Sequence, residues 1–393
     1  MSFLKREIEK EFKHLMAHYP VVTLMGPRQS GKTTLSRHAY PKKPYYNLEE
    51  PDTRLLIEGD PRSFFNRHPD GAILDEIQRS PELLSYIQNI VDEKKENGLF
   101  ILTGSHQFSL HQAITQSLAG RTAILELLPF TLHEIQDQVP AFELDDYLLN
   151  GFLPAVYDRD INPTVAYRNY VKTYVERDVR QLINIKDLNL FQQFIRLTAG
   201  RVGSIFNIDG LSNDVGISHN TTKNWLSLLE AAYILRPLQP YFENFGKRLI
   251  KSPKFYFSDV GMLSYLLDLE TKNQIAHDRL RGHLFENLVI MDLVKTKLNQ
   301  GKEAHFYYYR DHNQNEVDLI IKQGNHLIPV EIKSSATFNP ALLKSLNFYK
   351  KLVGDRAPIG FLIYAGTQEM QIGDVHIINF RRAREIFGMI EEI

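Results

Sequence analysis

Residues 21–35 read VVTLMGPRQSGKTTL. The first five, Val21–Met25, are an apolar run bounded by Pro20 and Gly26, which predicts a short buried strand. Gly26 through Thr33 then fits G-x-x-x-x-G-K-[ST] without a gap. That spacing suits a phosphate. The glycines let the loop Gly26, Pro27, Arg28, Gln29, Ser30 and Gly31 wrap an anion with backbone N–H groups. Lys32 can reach the β- and γ-phosphates, and the hydroxyl of Thr33, followed by Thr34, can ligate Mg²⁺. A helix predicted over Thr33–Ala39 aims its N-terminus at the same anion. ATP and Mg²⁺ are therefore the expected ligands.

Such a site needs an acid at a neighbouring strand end. Residues 71–78 read GAILDEIQ. Ala72–Leu74 predicts a strand with Asp75 at its C-terminal edge, the edge where open α/β sheets bind ligands. Asp75 would hold Mg²⁺ through water, and Glu76 would polarise the attacking water. The Asp-Glu pair could otherwise open a helix, with Gln78, Ser80 and Pro81 following. A third strand, LFILTGS (99–105), ends in Thr103 and Ser105, which either touch the γ-phosphate or the water, or cap the next segment. A fourth, TAILEL (122–127), follows LAGR. Arg121 is a candidate charge-stabilising arginine, acting in cis or from a neighbouring subunit, or else one partner of a strand-end salt bridge.

Composition narrows the classes. Of 393 residues, 43% are hydrophobic and 24% charged, which excludes whole-chain disorder. Lys+Arg is 46 and Asp+Glu 47, which excludes a uniformly basic nucleic-acid coat but not a local basic face. With no Cys, disulfides, thiolate metal sites and Cys nucleophiles are excluded. A cytoplasmic setting is expected. The charged N-terminus is not a signal peptide, and no window predicts a membrane span. Residues 4–18 have helical spacing. His14 and His18 stand four apart within it, and they read as a solvated face rather than as metal ligands.

Residues 142–201 are helical in pattern and contain YRNYVKTYVERDVRQL, where Arg177 and Arg180 either reach a nucleotide or face solvent. From 202 to 260 the order is short helix, Gly216 turn, second helix capped by Ser218, then two strand-like segments, YILRPLQPYF and KFYFSDV. This is the order of a winged helix. Between the strands lies GKRLIKSPK, with Lys247, Arg248, Lys251 and Lys254 and no acid, a wing that could lie on DNA phosphates. The second helix offers only Lys223 beside His219, Asn220 and Asn224, so a protein-docking role stays open.

Towards the C-terminus, HLFENLVIMDLVKTKL (283–298) predicts an amphipathic helix with Glu286 near its start. A strand HFYYYR follows, then EVDLIIKQ and HLIPVEIK separated by Gly324-Asn325, a two-residue hairpin signal. If Gln323 faces His326, Asp318 lies opposite Glu331 and Glu316 opposite Lys333. Two carboxylates facing each other cost up to about 1 kcal/mol, a sign that a divalent cation between them would reverse. Lys333 emerges on the same face as Glu331. Asp318, Glu331-x-Lys333 and the helical Glu286 resemble the constellation of the PD-(D/E)xK nuclease superfamily. The resemblance implies that Glu286, Asp318 and Glu331 hold Mg²⁺ and that Lys333 assists the water or the scissile phosphate. Val317 stands where that motif usually has Pro. The alternative is an ion-pair cluster using Glu316 and Lys333.

Taken together, GPRQSGKTT, ILDEIQ, ILTGS, LAGR, YVERDV, FENLV, EVDLII and VEIKSS resemble the prokaryotic family of AAA+ type P-loop ATPases with a C-terminal DUF4143 domain. The resemblance implies an α/β multidomain fold. An AAA+ core (1–141) with a helical lid (142–201) is followed by a winged helix (202–270) and a restriction-endonuclease-like domain (271–393). It implies an ATP-hydrolysing protein that engages nucleic acid, with a possible Mg²⁺-dependent nuclease site and possible homo-oligomers. The alternative is a nucleotide-dependent switch whose C-terminal domain binds a partner without cleavage.

Overall fold

The computed structural model describes residues 4–105, 114, 117–159, 161–179, 187–242 and 252–393. The chain gathers into two compact units. The first comprises Met1–Phe130 with the short segments Ala231–Tyr233 and Lys297–Glu303. The second comprises Thr131–Glu230, Ile234–Thr296 and Ala304–Ile393.

In the first unit the apolar runs become five parallel strands: β1 (Val21–Met25), β2 (Tyr45–Asn47), β3 (Ile73–Asp75), β4 (Phe100–Gly104) and β5 (Thr122–Glu126). Their order across the sheet is β2-β3-β4-β1-β5. All residues of β1 and β4 are buried, as continuous apolar runs in a parallel sheet require. Helix α1 (Glu9–His18) precedes β1, and α2 (Lys32–Ala39) links β1 to β2. Then α3 (Pro51–Gly59) and α4 (Pro61–Asn66) lead to β3, and α5 (Leu83–Lys94) leads to β4. Ile8, Phe12 and Met16 pack with Val22, Leu24, Leu35, Ile73, Ile101, Leu125 and Leu127 in one core. This order brings the C-terminal ends of β1, β4 and β3 side by side.

The second unit opens with short helices, a nine-residue π-helical stretch (Val171–Val179) and the helix Leu188–Ala199. The helices Ile208–Val215 and His219–Ala231 follow, separated by Gly216 at φ 77° and by Ser218, whose Oγ accepts from the N–H of Thr221 at 3.1 Å. Strands β6 (Leu235–Pro240) and β7 (Lys254–Phe257) pair antiparallel. Then come the helix Arg281–Asn299 and strands β8 (Phe306–Arg310), β9 (Glu316–Gln323), β10 (His326–Lys333), β11 (Gly360–Tyr364), β12 (Met370–Ile372) and β13 (Val375–Asn379).

Most of the segments read as lid, winged helix and C-terminal domain lie in the second unit. There β6 runs parallel to β8, with Gln239 opposite Tyr307 and Pro240 opposite Tyr308. The β6–β7 pair thereby lies at one end of an eight-stranded sheet ordered β12-β13-β11-β10-β9-β8-β6-β7. The β9–β10 register is the expected one, from Gln323 opposite His326 to Leu319 opposite Val330. Only Gly324 carries positive φ at that turn, as a type II′ hairpin requires. Among the described residues no helix is long and apolar enough to cross a membrane.

Candidate functional site

The phosphate loop leaves β1 at Gly26, whose φ is 151°. A Cβ there would lie 2.1 Å from the carbonyl oxygen of Leu127, so the backbone approach itself demands glycine. Gln29 and Gly31 also take positive φ, at 60° and 94°. Ser30 is buried, and its hydroxyl donates to the carbonyl of Pro27 at 2.9 Å, closing the loop on itself. Gln29 and Thr34 are exposed at its outer side. Arg28 donates to Glu49 Oε1 at 2.5 Å.

Lys32 is 5% exposed. Its ammonium donates to the carbonyls of Gly26 at 2.8 Å and Pro27 at 2.7 Å, inside the loop it would use for phosphate. Burial lowers its pKa to about 8, against the opposing pull of Glu76 and Asp75.

Asp75 ends β3 and is the hub of the acid half. Its Oδ2 accepts from Thr33 Oγ1 at 2.8 Å and from the Tyr45 hydroxyl at 2.7 Å, and its Oδ1 accepts from Thr103 Oγ1. Thr103 in turn accepts from the backbone N–H of Glu76 at 3.1 Å. Glu76 sits at φ 58°, a left-handed conformation that costs a non-glycine residue about 1–3 kcal/mol and recurs at functional sites. Its Oε2 accepts from Ser105 Oγ at 2.8 Å and from the Gln78 amide. The Thr33 hydroxyl and the Asp75 carboxylate, 2.8 Å apart beside Lys32, are hard oxygen donors of the kind Mg²⁺ takes.

Tyr45 and Arg6 were not singled out in the sequence, and Gln78 only as part of an alternative helix start. Burial and the Asp75 carboxylate together raise the Tyr45 phenol well above its ordinary pKa. Arg6 is 4% exposed and donates to the carbonyls of Ser30 at 2.7 Å and Leu128 at 2.8 Å, with its guanidinium over the Phe130 ring. It braces the phosphate loop from behind.

Arg121 is not brought to this edge. Its carbonyl accepts from the N–H of Val21, the first residue of β1, so it lies at the opposite end of the parallel strands. Its guanidinium pairs with both oxygens of Asp92, at 2.6 and 2.8 Å. A role in cis at this chain's own loop is therefore corrected, because the length of β1 intervenes. His14 and His18 lie exposed with ring centroids 4.4 Å apart and planes tilted by 40°. Arg180, the side chain of Arg177, and Lys247, Arg248 and Lys251 lie outside the described residues.

The second unit gathers the C-terminal candidates. Lys333 Nζ stands 2.6 Å from Glu331 Oε1 and 3.3 Å from Asp318 Oδ2, so all three share a face. Asp318 Oδ2 also accepts from the N–H of Ile332 at 2.9 Å. Glu286, on the helix Arg281–Asn299, accepts from the Tyr256 hydroxyl at 2.5 Å and from Lys254 Nζ at 3.2 Å. Glu316 does not pair with Lys333. Its carboxylate lies between Lys254 at 2.6 Å and Arg310 at 2.7 Å.

Lys254 is thus not a wing residue facing DNA: it is 1% exposed and enclosed by carboxylates. Burial pulls its pKa down, but Glu286, Glu316 and Asp318 outweigh this and hold it charged. Burial pushes Glu286 up, but Lys254, His283 and Tyr256 hold it near 2. Burial and Asp318 raise Glu331 to about 7. Among the described residues no group of three or more His, Asp or Glu side chains is placed to hold a metal ion.

Three family models match in series: an AAA domain over 18–136, a domain of unknown function, DUF8612, over 141–273, and another, DUF4143, over 281–383. Uncharacterized proteins of Mycobacterium bovis and Mycobacterium tuberculosis are each 28% identical over 381 residues, 95% of this chain and 83% of theirs. Among solved structures, a Walker-type ATPase of Pyrococcus abyssi aligns over 67% of this chain and 96% of its own, at 15% identity and a TM-score of 0.47. AMPPCP-bound DnaA of Aquifex aeolicus aligns over 57% and 85%, at 14% identity and a TM-score of 0.29. The phosphate loop and its acid pair thus lie at the sheet edge of the matched N-terminal domain, and the chain carries an AAA domain with a P-loop followed by a C-terminal DUF4143 domain.

Proposed function

We propose that this chain hydrolyses ATP at the Gly26–Thr34 loop and uses the nucleotide cycle to change how its second unit engages a nucleic acid. The observation that carries the hydrolytic half is Asp75, bonded at once to Thr33 from the loop and Thr103 from β4, with Glu76 next to it. When phosphates enter, Lys32 exchanges the carbonyls of Gly26 and Pro27 for the β- and γ-oxygens. Thr33 and Asp75 would hold Mg²⁺, which supplies charge neutralisation on the phosphates. Glu76 orients and polarises the attacking water, and Ser105 and Gln78 hold its carboxylate until the water is in place. The Thr103 hydroxyl is committed to Asp75 and Glu76, so its part is positioning. Arg121 would act only on a neighbouring copy's nucleotide, which requires a homo-oligomer.

The nucleic-acid half rests on the two helices about Gly216 and the strands after them, the order of a winged helix. His219, Asn220, Lys223 and Asn224 are the DNA-facing candidates. A second reading is a switch that docks a protein without cutting anything, and the burial of Lys254 favours it, because the wing has one cation fewer for phosphates.

The test measures phosphate release by the full chain, with and without duplex and single-stranded DNA, for wild type and Glu76→Gln. Hydrolysis that depends on Glu76, with DNA affinity that differs between ATP and ADP, is expected. Absence of hydrolysis would overturn the reading. Hydrolysis with no DNA binding in either nucleotide state would leave the protein-docking switch.

A further inference from the structure

The C-terminal cluster resembles a metal-dependent nuclease site in residue type, yet cations of this chain already hold its carboxylates, and among their oxygens only Glu331 Oε2 is buried without a hydrogen-bond partner. Glu286 Oε1 is taken by Lys254 and Tyr256, and Glu286 Oε2 faces His283 Nδ1 at 3.5 Å. Glu316 is taken by Lys254 and Arg310. Asp318 Oδ2 is taken by Lys333 and the N–H of Ile332, and Glu331 Oε1 by Lys333. Four carboxylates thus meet three fixed cations.

Three of these carboxylates are also buried, although the Lys333 side chain that bonds two of them is 36% exposed. Glu286, Asp318 and Glu331 are 7%, 7% and 5% exposed, and Lys254 1%. Gly203 packs against the cluster so closely that a Cβ there would come 2.9 Å from His283 Nδ1 and 3.3 Å from Glu286 Oε2. Buried carboxylates are kept only when paired, and an ammonium within hydrogen-bond distance does what a divalent ion would otherwise do.

We propose that Lys254, delivered by β7, is this site's own cation: its ammonium stands where Glu286 and Glu316 converge, so the DUF4143 domain stays folded without a divalent metal and does not hydrolyse phosphodiesters. The proposal sharpens the switch reading above and rests on it for the domain's biological use. Its chemistry is independent of ATP.

The full chain without nucleotide is titrated with Mn²⁺ and followed by thermal melts and by the electron paramagnetic resonance signal of free Mn²⁺. Wild type and Asp318→Asn are expected to give the same isotherm and the same melting shift. Lys254→Met, which empties the ammonium position, is expected to gain Mn²⁺-dependent stabilisation that Lys254→Met/Glu316→Gln lacks. A wild-type Mn²⁺ affinity that falls at least about 10-fold in Asp318→Asn, as loss of a true ligand would cause, overturns the proposal. So does Asp318-dependent cleavage of plasmid or single-stranded DNA in Mn²⁺. If Lys254→Met does not fold, the wild-type comparison decides alone. Mg²⁺-ATP hydrolysis measured on the same samples separates this outcome from a failure of the ATPase reading.

Discussion

Glu76 and Lys32 carry the most specific expectations at the scale of single residues. Glu76→Gln should keep ATP binding and slow hydrolysis by about 10²–10⁴-fold, the usual contribution of a positioned acid–base group. Phosphate release against nucleotide affinity separates the two effects. Thr103→Val removes the hydroxyl that holds both Asp75 and the N–H of Glu76. It should lower kcat, because Glu76 is misplaced on the water, and raise KM for Mg²⁺-ATP, because Asp75 would hold the metal on the phosphates. Lys32 adds a pH dependence. Its ammonium is at about pKa 8 in the free protein, and phosphates would restore the charge. ATP affinity should be flat below pH 8 and fall by up to about tenfold per unit above it, since binding must then take up a proton. Lys32→Arg should remove the slope. A fluorescent ATP analogue titrated between pH 7 and pH 9.5 would check it, and a slope shared by both proteins would assign it elsewhere.

At the scale of elements, the loop and its strands were legible because local pattern decides them: an apolar run, a fixed glycine spacing, an acid at a strand end. The β9–β10 register was equally legible, since a two-residue turn fixes every pair beyond it. What escaped was non-local. Lys254 sits in a stretch with no acid, so it read as a phosphate-facing wing, yet its partners Glu286 and Glu316 come from a distant helix and strand. The pairing of β6 with β8 likewise has no local signal. Arg6 was hidden for the opposite reason, as one charge in a charged segment. The glycine that leaves β1 is the element most open to test. Gly26→Ala would drive a Cβ into the backbone of Leu127, which cannot yield without parting β1 from β5. A loss of about 1–3 kcal/mol or more is expected in urea melts, together with loss of nucleotide binding.

For the whole molecule, the question is whether one chain suffices. Arg121 faces away from its own phosphate loop, so any contribution to hydrolysis must come from assembly. ATPase activity per chain should then rise with protein concentration in wild type and stay flat in Arg121→Ala. A concentration-independent rate in both would confine Arg121 to its ion pair with Asp92. Another consequence follows from what lies behind the phosphate loop. The matched AAA segment begins at residue 18, but Arg6 braces Ser30, and Ile8, Phe12 and Met16 fill the sheet's core. Losing three such side chains, at about 2–5 kcal/mol each, approaches the entire stability of an ordinary domain. An ATPase fragment excised at residue 18 should therefore emerge as inclusion bodies, and a bulky affinity tag fused close to Arg6 should weaken ATP binding even though no tag atom reaches the nucleotide.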